Sequence, residues 1–194
     1  GKTGKDPFGG IIMDTLKKSG VSTEYMEAAE NLKTGVTIAL CKEHDRAMLT
    51  YGGTIDAMKP EDIPWDALEQ ARHLHIGSYF LLESIQSCFS DMIDCLHGNN
   101  GTVSLDTNWD PEEKWEKGLK DILPKIDVFF PNENEITAIT GESTPEKAVN
   151  VLKAVIPVIS VKLGPKGAVT YFDGGSVYYP AIDVPKKDAI GAGD

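Results

Sequence analysis

From residue 65 onward the sequence alternates helix-like segments with short strand-like runs, and this alternation most restricts the possible folds. Apolar residues recur with helical spacing at 65–72, 82–96, 112–123 and 145–155, and strand-like runs follow at 74–76, 102–106, 128–130 and 158–161. Short strands separated by helices are typical of a parallel sheet that is covered on both faces. Two further runs, at 168–172 and 177–179, flank a glycine turn and predict a hairpin. We therefore predict an α/β fold with three layers, α/β/α, around a mostly parallel sheet.

The part of the chain before this body predicts one helix and a small sheet. Residues 1–6 predict a turn, and the apolar residues of 7–16 have the three-and-four spacing of an amphipathic helix. The period then changes to two at 36–40 and 47–51, with a polar turn between the two runs. We interpret residues 24–53 as a small β lid that is exposed on one side.

Composition excludes several classes of function. The chain carries 30 acidic and 19 basic residues, a net charge of −11, whereas binding to nucleic acid or to an anionic membrane needs clustered Lys and Arg. No apolar run approaches the roughly 18 residues of a membrane helix. The 3 cysteines are an odd and sparse set, which favours free thiols in a reducing compartment. We expect a cytoplasmic protein whose partners include neither nucleic acid nor membrane.

Polar residues or glycines follow each predicted parallel strand. In an open parallel sheet, ligands bind beyond the carboxyl ends of the strands, so these positions are expected to meet at one site. They are Gly77, Ser78 and Tyr79 after the first strand, Asp106, Asn108 and Trp109 after the second, Asn132, Glu133 and Glu135 after the third, and Lys162, Leu163 and Gly164 after the fourth.

Two of these strand exits allow alternative interpretations. Asn132 is a favoured helix cap and Glu135 an acid in a first helical turn, so the pair can simply begin a helix. Alternatively, the two side chains hold a hydrated Mg²⁺, which usually takes one or two protein oxygens and keeps its waters. The segment 162–167, with glycines three apart, is either a turn into the hairpin or a place where the backbone approaches a nucleotide, with Lys162 at a phosphate or ribose.

The last seven residues, Asp188-Ala189-Ile190-Gly191-Ala192-Gly193-Asp194, place three small residues before a carboxylate. Glycine permits the dihedral angles of a turn in which successive N–H groups form a concave anion site. An ordinary tight turn is the alternative. With the other strand exits, the segment indicates phosphate chemistry.

In their order and approximate spacing, these motifs resemble those of the ribokinase-like, or PfkB, carbohydrate kinases. The matching segments are 4–9 for the family's Gly-x-Asp-x-Phe-Gly, 34–51 for its β lid, 132–135 for Asn-x-x-Glu, 162–167 for the nucleotide turn and 188–194 for Asp-x-x-Gly-Ala-Gly-Asp. The resemblance covers the whole chain and implies a single kinase domain at 1–194 that includes the lid. It also implies ATP-dependent phosphorylation of a hydroxyl on a sugar or related small molecule, with ATP and Mg²⁺ as cofactors.

The resemblance further implies roles for individual residues. Asp194 would remove the proton from the attacking hydroxyl, and the N–H groups of Gly191, Ala192 and Gly193 would stabilise the developing phosphate charge. Asn132 and Glu135 would act through Mg²⁺, and the nucleotide would lie against Asn132, Lys162, Gly164 and Gly167. The candidates for substrate contact are Arg46, Tyr51 and Asn108. Lids of this kind also pair in the family, which makes a homodimer through the lid an expectation.

The chain also departs from the family pattern. Members usually have a strand before the segment that begins this chain and a helix after the signature, so we expect a fragment, incomplete at both ends, with little kinase activity by itself. Asp110 stands where many members carry Arg in Asp-x-Asn-x-Arg, which makes a phosphorylated substrate less expected. This charge loss favours an alternative function, a non-catalytic regulatory or interaction module that keeps the kinase fold. A dinucleotide-binding oxidoreductase is excluded because no Gly-x-Gly-x-x-Gly follows an early strand.

Overall fold

The computed structural model describes residues 1–42 and 45–184, with the backbone alone at 41–42 and 45–46. The described chain divides into two compact units. The first contains Gly1–Pro64 and Leu81–Ile85, and the second contains Trp65–Phe80 and the chain from Gln86 onward. Within this described part, no helix is long and apolar enough to cross a membrane.

In the first unit, helix α1 (Pro7–Lys18) follows a short strand, β1 (Lys2–Gly4), which pairs in parallel with β2 (Glu27–Ala29). Asp6 caps the helix, since its Oδ1 accepts the N–H of Gly9 at 3.0 Å. The predicted helix is confirmed, but the predicted turn at 1–6 was wrong in part. A strand of three residues is too short to show an alternating pattern, and only its pairing with β2 reveals it.

The Asp6 carboxylate also joins the helix to a distant part of the first unit. Its Oδ2 accepts the N–H of Thr34 at 2.7 Å, and its Oδ1 accepts the Thr34 hydroxyl at 2.8 Å. Hydrogen bonds from Gly9 and Thr34 favour the ionised form and lower the pKa of Asp6 to about 2. The cap therefore fixes both the start of α1 and the entry to the following hairpin.

That hairpin consists of β3 (Val36–Lys42) and β4 (Asp45–Tyr51), which pair antiparallel from Val36 opposite Tyr51. It confirms the predicted hairpin, whereas its role as a lid stays a prediction. Its large apolar side chains are more than half exposed, namely Ile38, Leu40, Met48, Leu49 and Tyr51. The hairpin is therefore held together mainly by its backbone ladder and by cross-strand pairs such as Thr37 and Thr50, whose hydroxyl oxygens are 3.0 Å apart.

The second unit is built on a sheet of six strands in the order β10-β9-β8-β7-β6-β5. Its strands are β5 (His73–Gly77), β6 (Thr102–Asp106), β7 (Val128–Phe129), β8 (Val158–Lys162), β9 (Ala168–Phe172) and β10 (Gly175–Tyr179). The pairs from β5 to β8 are parallel, and β9 and β10 add an antiparallel hairpin at one edge. The predicted mostly parallel α/β fold is confirmed.

One face of this sheet forms the core with the helices of the second unit. These helices are α2 (Trp65–Gln70), α3 (Phe89–Gly98), α4 (Leu119–Ile122), α5 (Glu133–Thr140) and α6 (Pro145–Leu152). The strand side chains buried on this face are Ile76, Val103, Leu105, Phe129, Ile159 and Val161. Because side chains alternate along a strand, the positions between them face the other way and carry polar groups. The Ser104 hydroxyl, for example, lies 2.8 Å from ring nitrogens of both His73 and His75.

The predicted helix at 112–123 was wrong over its first half. Residues 112–118 form a loop, and a helix begins only at Leu119. The Asp110 carboxylate accepts backbone N–H groups of this loop, which is the kind of side-chain hydrogen bond that competes with a helix. The predicted helix at 82–96 is also divided, since a 3₁₀ segment, Glu83–Cys88, precedes α3.

Candidate active site

A cavity of about 470 Å³ lies at the carboxyl ends of the parallel strands. Four neighbouring strands, or their exits, contribute to its wall. The lining residues are His75, Gly77 and Ser78 from β5 and its exit, Asp106 and Asn108 from β6 and its exit, Phe130 after β7, and Lys162 at the end of β8. The convergence that the strand exits predict is therefore present, and it includes the predicted residues Asn108 and Lys162.

An ion pair crosses this cavity. The Nζ of Lys162 lies 2.6 Å from Oδ2 of Asp106, and both side chains are about one quarter exposed. The backbone of Lys162 is fixed by a hydrogen bond, because its N–H donates to the carbonyl of Pro131 at 2.8 Å. A primary ammonium has three donors, so Lys162 can bind a further anionic oxygen while it keeps Asp106 as a partner.

Asn132 and Glu135 form a reciprocal capping box at the start of α5. The N–H of Glu135 donates to Oδ1 of Asn132 at 2.9 Å, and the N–H of Asn132 donates to Oε2 of Glu135 at 2.9 Å. The capping interpretation of the sequence is therefore realised in the structure. A carboxylate has further lone pairs after it has accepted one N–H, so the cap leaves a role at Mg²⁺ as an open prediction.

Glu135 is also part of the electrostatics of the site. It is only 4% exposed, and this burial raises the pKa of its carboxyl group. The N–H of Asn132 and the positive charge of Lys162 oppose the rise, whereas the negative charge of Asp106 adds to it. Two carboxylates and one ammonium thus influence each other at the ends of β6, β8 and α5.

These groups fit Mg²⁺ only in a hydrated form. Within 1–42 and 45–184, no group of three or more His, Cys, Asp or Glu could hold a metal ion. Mg²⁺ commonly keeps several waters and binds through one or two carboxylates and the phosphates of its ligand. Asp106 and Glu135 can supply those carboxylates, so the residues present fit a metal that arrives with a nucleotide.

Asn108 has a strained backbone that turns its amide toward the cavity. Its φ is +55°, a left-handed conformation that Asn tolerates better than most residues. Its N–H donates to Oδ1 of Asp106 at 3.1 Å, and its Oδ1 accepts the N–H of Trp109 at 2.9 Å. Its Nδ2 lies 3.5 Å from the hydroxyl of Ser78. The exits of β5 and β6 are thereby placed side by side.

The two glycines predicted to lie against a nucleotide differ in their surroundings. Gly164 has φ +57°, and nothing lies within 4 Å of the place where a Cβ would be. Gly167 has φ +104°, and a Cβ there would lie 2.0 Å from the carbonyl oxygen of Tyr179. Packing against the end of β10 therefore already requires glycine at 167. Neither residue lines the cavity, and their contact with a nucleotide stays a prediction.

The other predicted site residues lie elsewhere or outside the described residues. Tyr51 ends β4 in the first unit and is 56% exposed. The side chain of Arg46 and all of Gly191, Ala192, Gly193 and Asp194 are outside the described part of the chain. Their predicted roles are therefore untested.

The sequence interpretation missed His75 and Phe130 as cavity residues. Nδ1 of His75 is 2.8 Å from the Ser104 hydroxyl, and its ring meets Phe130 edge-on at 6.3 Å. The signal was available, because His75 lies two residues before Gly77 and so shares its face of β5.

Comparison with known proteins finds relatives that are named as kinases. The model of the "pfkB family carbohydrate kinase" matches residues 1–194. The chain is 25% identical over 150 residues to probable fructokinase-4 of Arabidopsis thaliana, covering 73% of this chain and 46% of that protein. It is 28% identical over 145 residues to adenosine kinase of Saccharomyces cerevisiae, covering 71% and 41%. The chain thus spans about half the length of the curated relatives it matches.

Solved structures show the same fold. A "putative Ribokinase II" from E. coli, in complex with ATP and Mg²⁺, superposes with a TM-score of 0.88 at 22% identity, covering 99% of this chain and 64% of that one. Fructokinase from Vibrio cholerae O395, with fructose, ADP and calcium ion bound, gives 0.83 at 23% identity, covering 99% and 65%. At these identities the likeness establishes the ribokinase-like fold.

Proposed function

Because the chain belongs to the pfkB family of carbohydrate kinases, we propose that its protein transfers the γ-phosphoryl group of ATP to a hydroxyl of a sugar or a related small molecule. The observation that carries the proposal is the ion pair of Lys162 and Asp106 at the carboxyl ends of the parallel strands, beside the buried Glu135. Phosphoryl transfer depends mainly on positioning and on compensation of phosphate charge, and such a cluster provides both.

The residues in and beside the cavity have separate roles in this transfer. Lys162 donates to a phosphate oxygen of the nucleotide, and Asp106 holds the ammonium group in place. Glu135 and Asp106 would hold Mg²⁺ through its waters, and the ion when bound would neutralise phosphate charge. Asn108 and Ser78, with amide and hydroxyl groups, orient the acceptor. Asn132 starts the helix that carries Glu135, and Gly164 and Gly167 let the chain turn beside the nucleotide.

The chemical step is assigned to the last four residues on the family motif. Asp194 takes the proton of the acceptor hydroxyl as the new O–P bond forms and the bond to the leaving ADP breaks. The N–H groups of Gly191, Ala192 and Gly193 stabilise the charge on the transferred group. Arg46 and Tyr51 of the lid contact the acceptor.

The acceptor we propose is a neutral hydroxylated molecule. The charged side chains of the cavity wall, Lys162 and Asp106, pair with each other. Asp110 takes the place of the cation that would meet a second anionic group. A phosphorylated acceptor would therefore lack a free compensating charge among the described residues that line the cavity. Relatives named fructokinase and adenosine kinase leave both sugars and nucleosides as candidates.

Two further proposals concern the surroundings of the enzyme. The apolar side chains exposed on β3 and β4 support a homodimer that forms through the lid. The sparse cysteines, of which Cys88 and Cys95 are free, support a cytoplasmic location.

A non-catalytic regulatory or interaction module is the second candidate function. The negative Asp110 at a position that is often Arg in the family favours it. Calorimetry of ATP binding to the full-length protein, with and without Mg²⁺, separates the two, because a kinase predicts nucleotide binding that depends on Mg²⁺.

A coupled assay of ADP release tests the proposed kinase directly. We expect the protein to turn over at least one member of a panel of sugars and nucleosides. Asp194→Asn should abolish the turnover without loss of the folded state. Nucleotide binding without turnover on the whole panel, or full activity of Asp194→Asn, would contradict the proposal.

A further inference from the structure

Asp110 is a fully buried carboxylate whose partners are all backbone N–H groups of one loop. It is 0% exposed, and its Oδ1 accepts the N–H of Glu112 at 3.0 Å. Its Oδ2 accepts those of Lys114 at 2.9 Å and Trp115 at 2.8 Å. Burial alone would raise the pKa of Asp110, but these three donors and the positive charge of Lys117 together outweigh it, and the pKa is lowered. The carboxylate therefore stays ionised and organises residues 110–118, here called the Asp110 loop.

The loop needs such an organiser because its backbone is strained. Glu113, Trp115 and Lys117 have φ values of +54°, +55° and +50°, and these are side-chain-bearing residues in the left-handed region. Conformations of this kind persist only where surrounding contacts determine them. Without the carboxylate, the same residues would be free to adopt the helix that their spacing predicts.

The Asp110 loop is joined to the exits of β5 and β6, which line the cavity. At the exit of β5, the hydroxyl of Tyr79 donates to the carbonyl of Lys117 at 2.6 Å, and the ring of Phe80 meets Trp115 edge-on at 5.5 Å. At the exit of β6, Trp109 meets the same Trp115 edge-on at 5.1 Å. Tyr79 directly follows Ser78, and Trp109 directly follows Asn108.

We propose that Asp110 is a positioning residue, which shapes this loop so that Ser78 and Asn108 are held side by side at the cavity. Asp110 itself is not among the residues that line the cavity. The inference rests on the proposed kinase function and adds to it the reason for an acid at a position where a cation is common in the family. The negative charge serves the backbone of the loop and not a ligand.

Asp110→Asn in the full-length protein tests this role. The amide has nearly the same volume, but it offers one acceptor oxygen and turns an NH₂ group toward backbone donors. We expect the catalytic efficiency for the acceptor to fall about tenfold or more, through both KM of the acceptor and kcat. The KM of ATP should change little. Glu113→Gln, which removes an exposed carboxylate of the same loop, should leave all constants unchanged.

Two readouts separate positioning from a general loss of folding. The Trp109–Trp115 contact gives a near-ultraviolet circular dichroism signal that reports the loop, and it should weaken in Asp110→Asn. Tyr79→Phe removes the second anchor by deleting one hydroxyl, and it should lower the catalytic efficiency for the acceptor by about threefold to tenfold. If Asp110→Asn does not fold, Tyr79→Phe decides.

The outcomes are distinguishable from a failure of the kinase proposal. An active wild-type protein in which both variants keep normal acceptor constants, or lose ATP and acceptor binding equally, overturns the positioning role alone. A wild-type protein without turnover on any acceptor contradicts the kinase proposal, and the inference falls with it.

Discussion

At the scale of single residues, Glu135 has both a structural and an electrostatic role. It closes the capping box at the start of α5 through the N–H of Asn132, and it lies within the electrostatic reach of Lys162 and Asp106. Capping uses hydrogen-bond geometry, which Glu and Gln share, whereas an interaction with Mg²⁺ uses negative charge. A substitution that keeps the shape and removes the charge therefore separates the two roles.

We predict that Glu135→Gln keeps most of the stability of the protein but weakens its response to Mg²⁺. Gln still accepts the N–H of Asn132, so the midpoint of thermal unfolding should change by only a few degrees. The Mg²⁺ concentration that gives half-maximal ADP release should rise several-fold, because a carboxylate partner of the metal waters is lost. The control is Glu133→Gln, an acid of the same helical turn that lies outside the capping box. An unchanged Mg²⁺ requirement would show that Glu135 only caps the helix.

At the scale of elements, the N-terminus of α1 is joined to the start of the lid hairpin by one carboxylate. Because hydrogen bonds lower the pKa of Asp6 to about 2, against an ordinary value of 3.8, the folded state holds its proton more weakly than the unfolded chain does. A lowered pKa contributes stability that is fully present above the unfolded value and is lost as the pH falls through the folded value.

We therefore predict that Asp6 contributes to acid sensitivity between about pH 4 and pH 2. Asp6→Asn should lower the thermal midpoint at pH 6, since an amide lacks the second acceptor oxygen for Thr34, and should lower it less at pH 3. Asp14→Asn, which removes an exposed acid of the same helix, is the control and should behave as the wild type at both values. An equal loss at pH 6 and pH 3 would contradict the account of the cap.

Some elements of the fold could be predicted from the sequence, and others could not. The parallel strands were predictable because they are buried, and the site followed because the carboxyl ends of parallel strands meet at one edge. The helix at 112–118 was mispredicted because one buried side chain, Asp110, outweighs the local helical spacing. The strand β1 was missed because its three residues gain their structure from β2, which lies 25 positions farther along the register.

At the scale of the whole molecule, the described chain holds two compact units with different architectures. The second unit carries the sheet and the cavity, and its strand ends explain why Asn108 and Lys162 were found from sequence. The lid residues Arg46 and Tyr51 could be proposed only from the resemblance to a family, because specificity depends on where a lid lies and not on its own pattern. We propose above all that the cavity of the second unit binds nucleotide phosphate.

Calorimetry of ATP binding in the presence of Mg²⁺ to wild type, Lys162→Met and Lys166→Met tests that claim most directly. Lys162→Met removes an ammonium group that attracts phosphate. It also leaves Asp106 without its partner, and the unpaired carboxylate repels phosphate. We predict that Kd rises about tenfold or more and that the salt dependence of binding weakens. Lys166→Met, in the turn that follows the same strand, should bind as the wild type. Equal affinities of wild type and Lys162→Met would contradict the account.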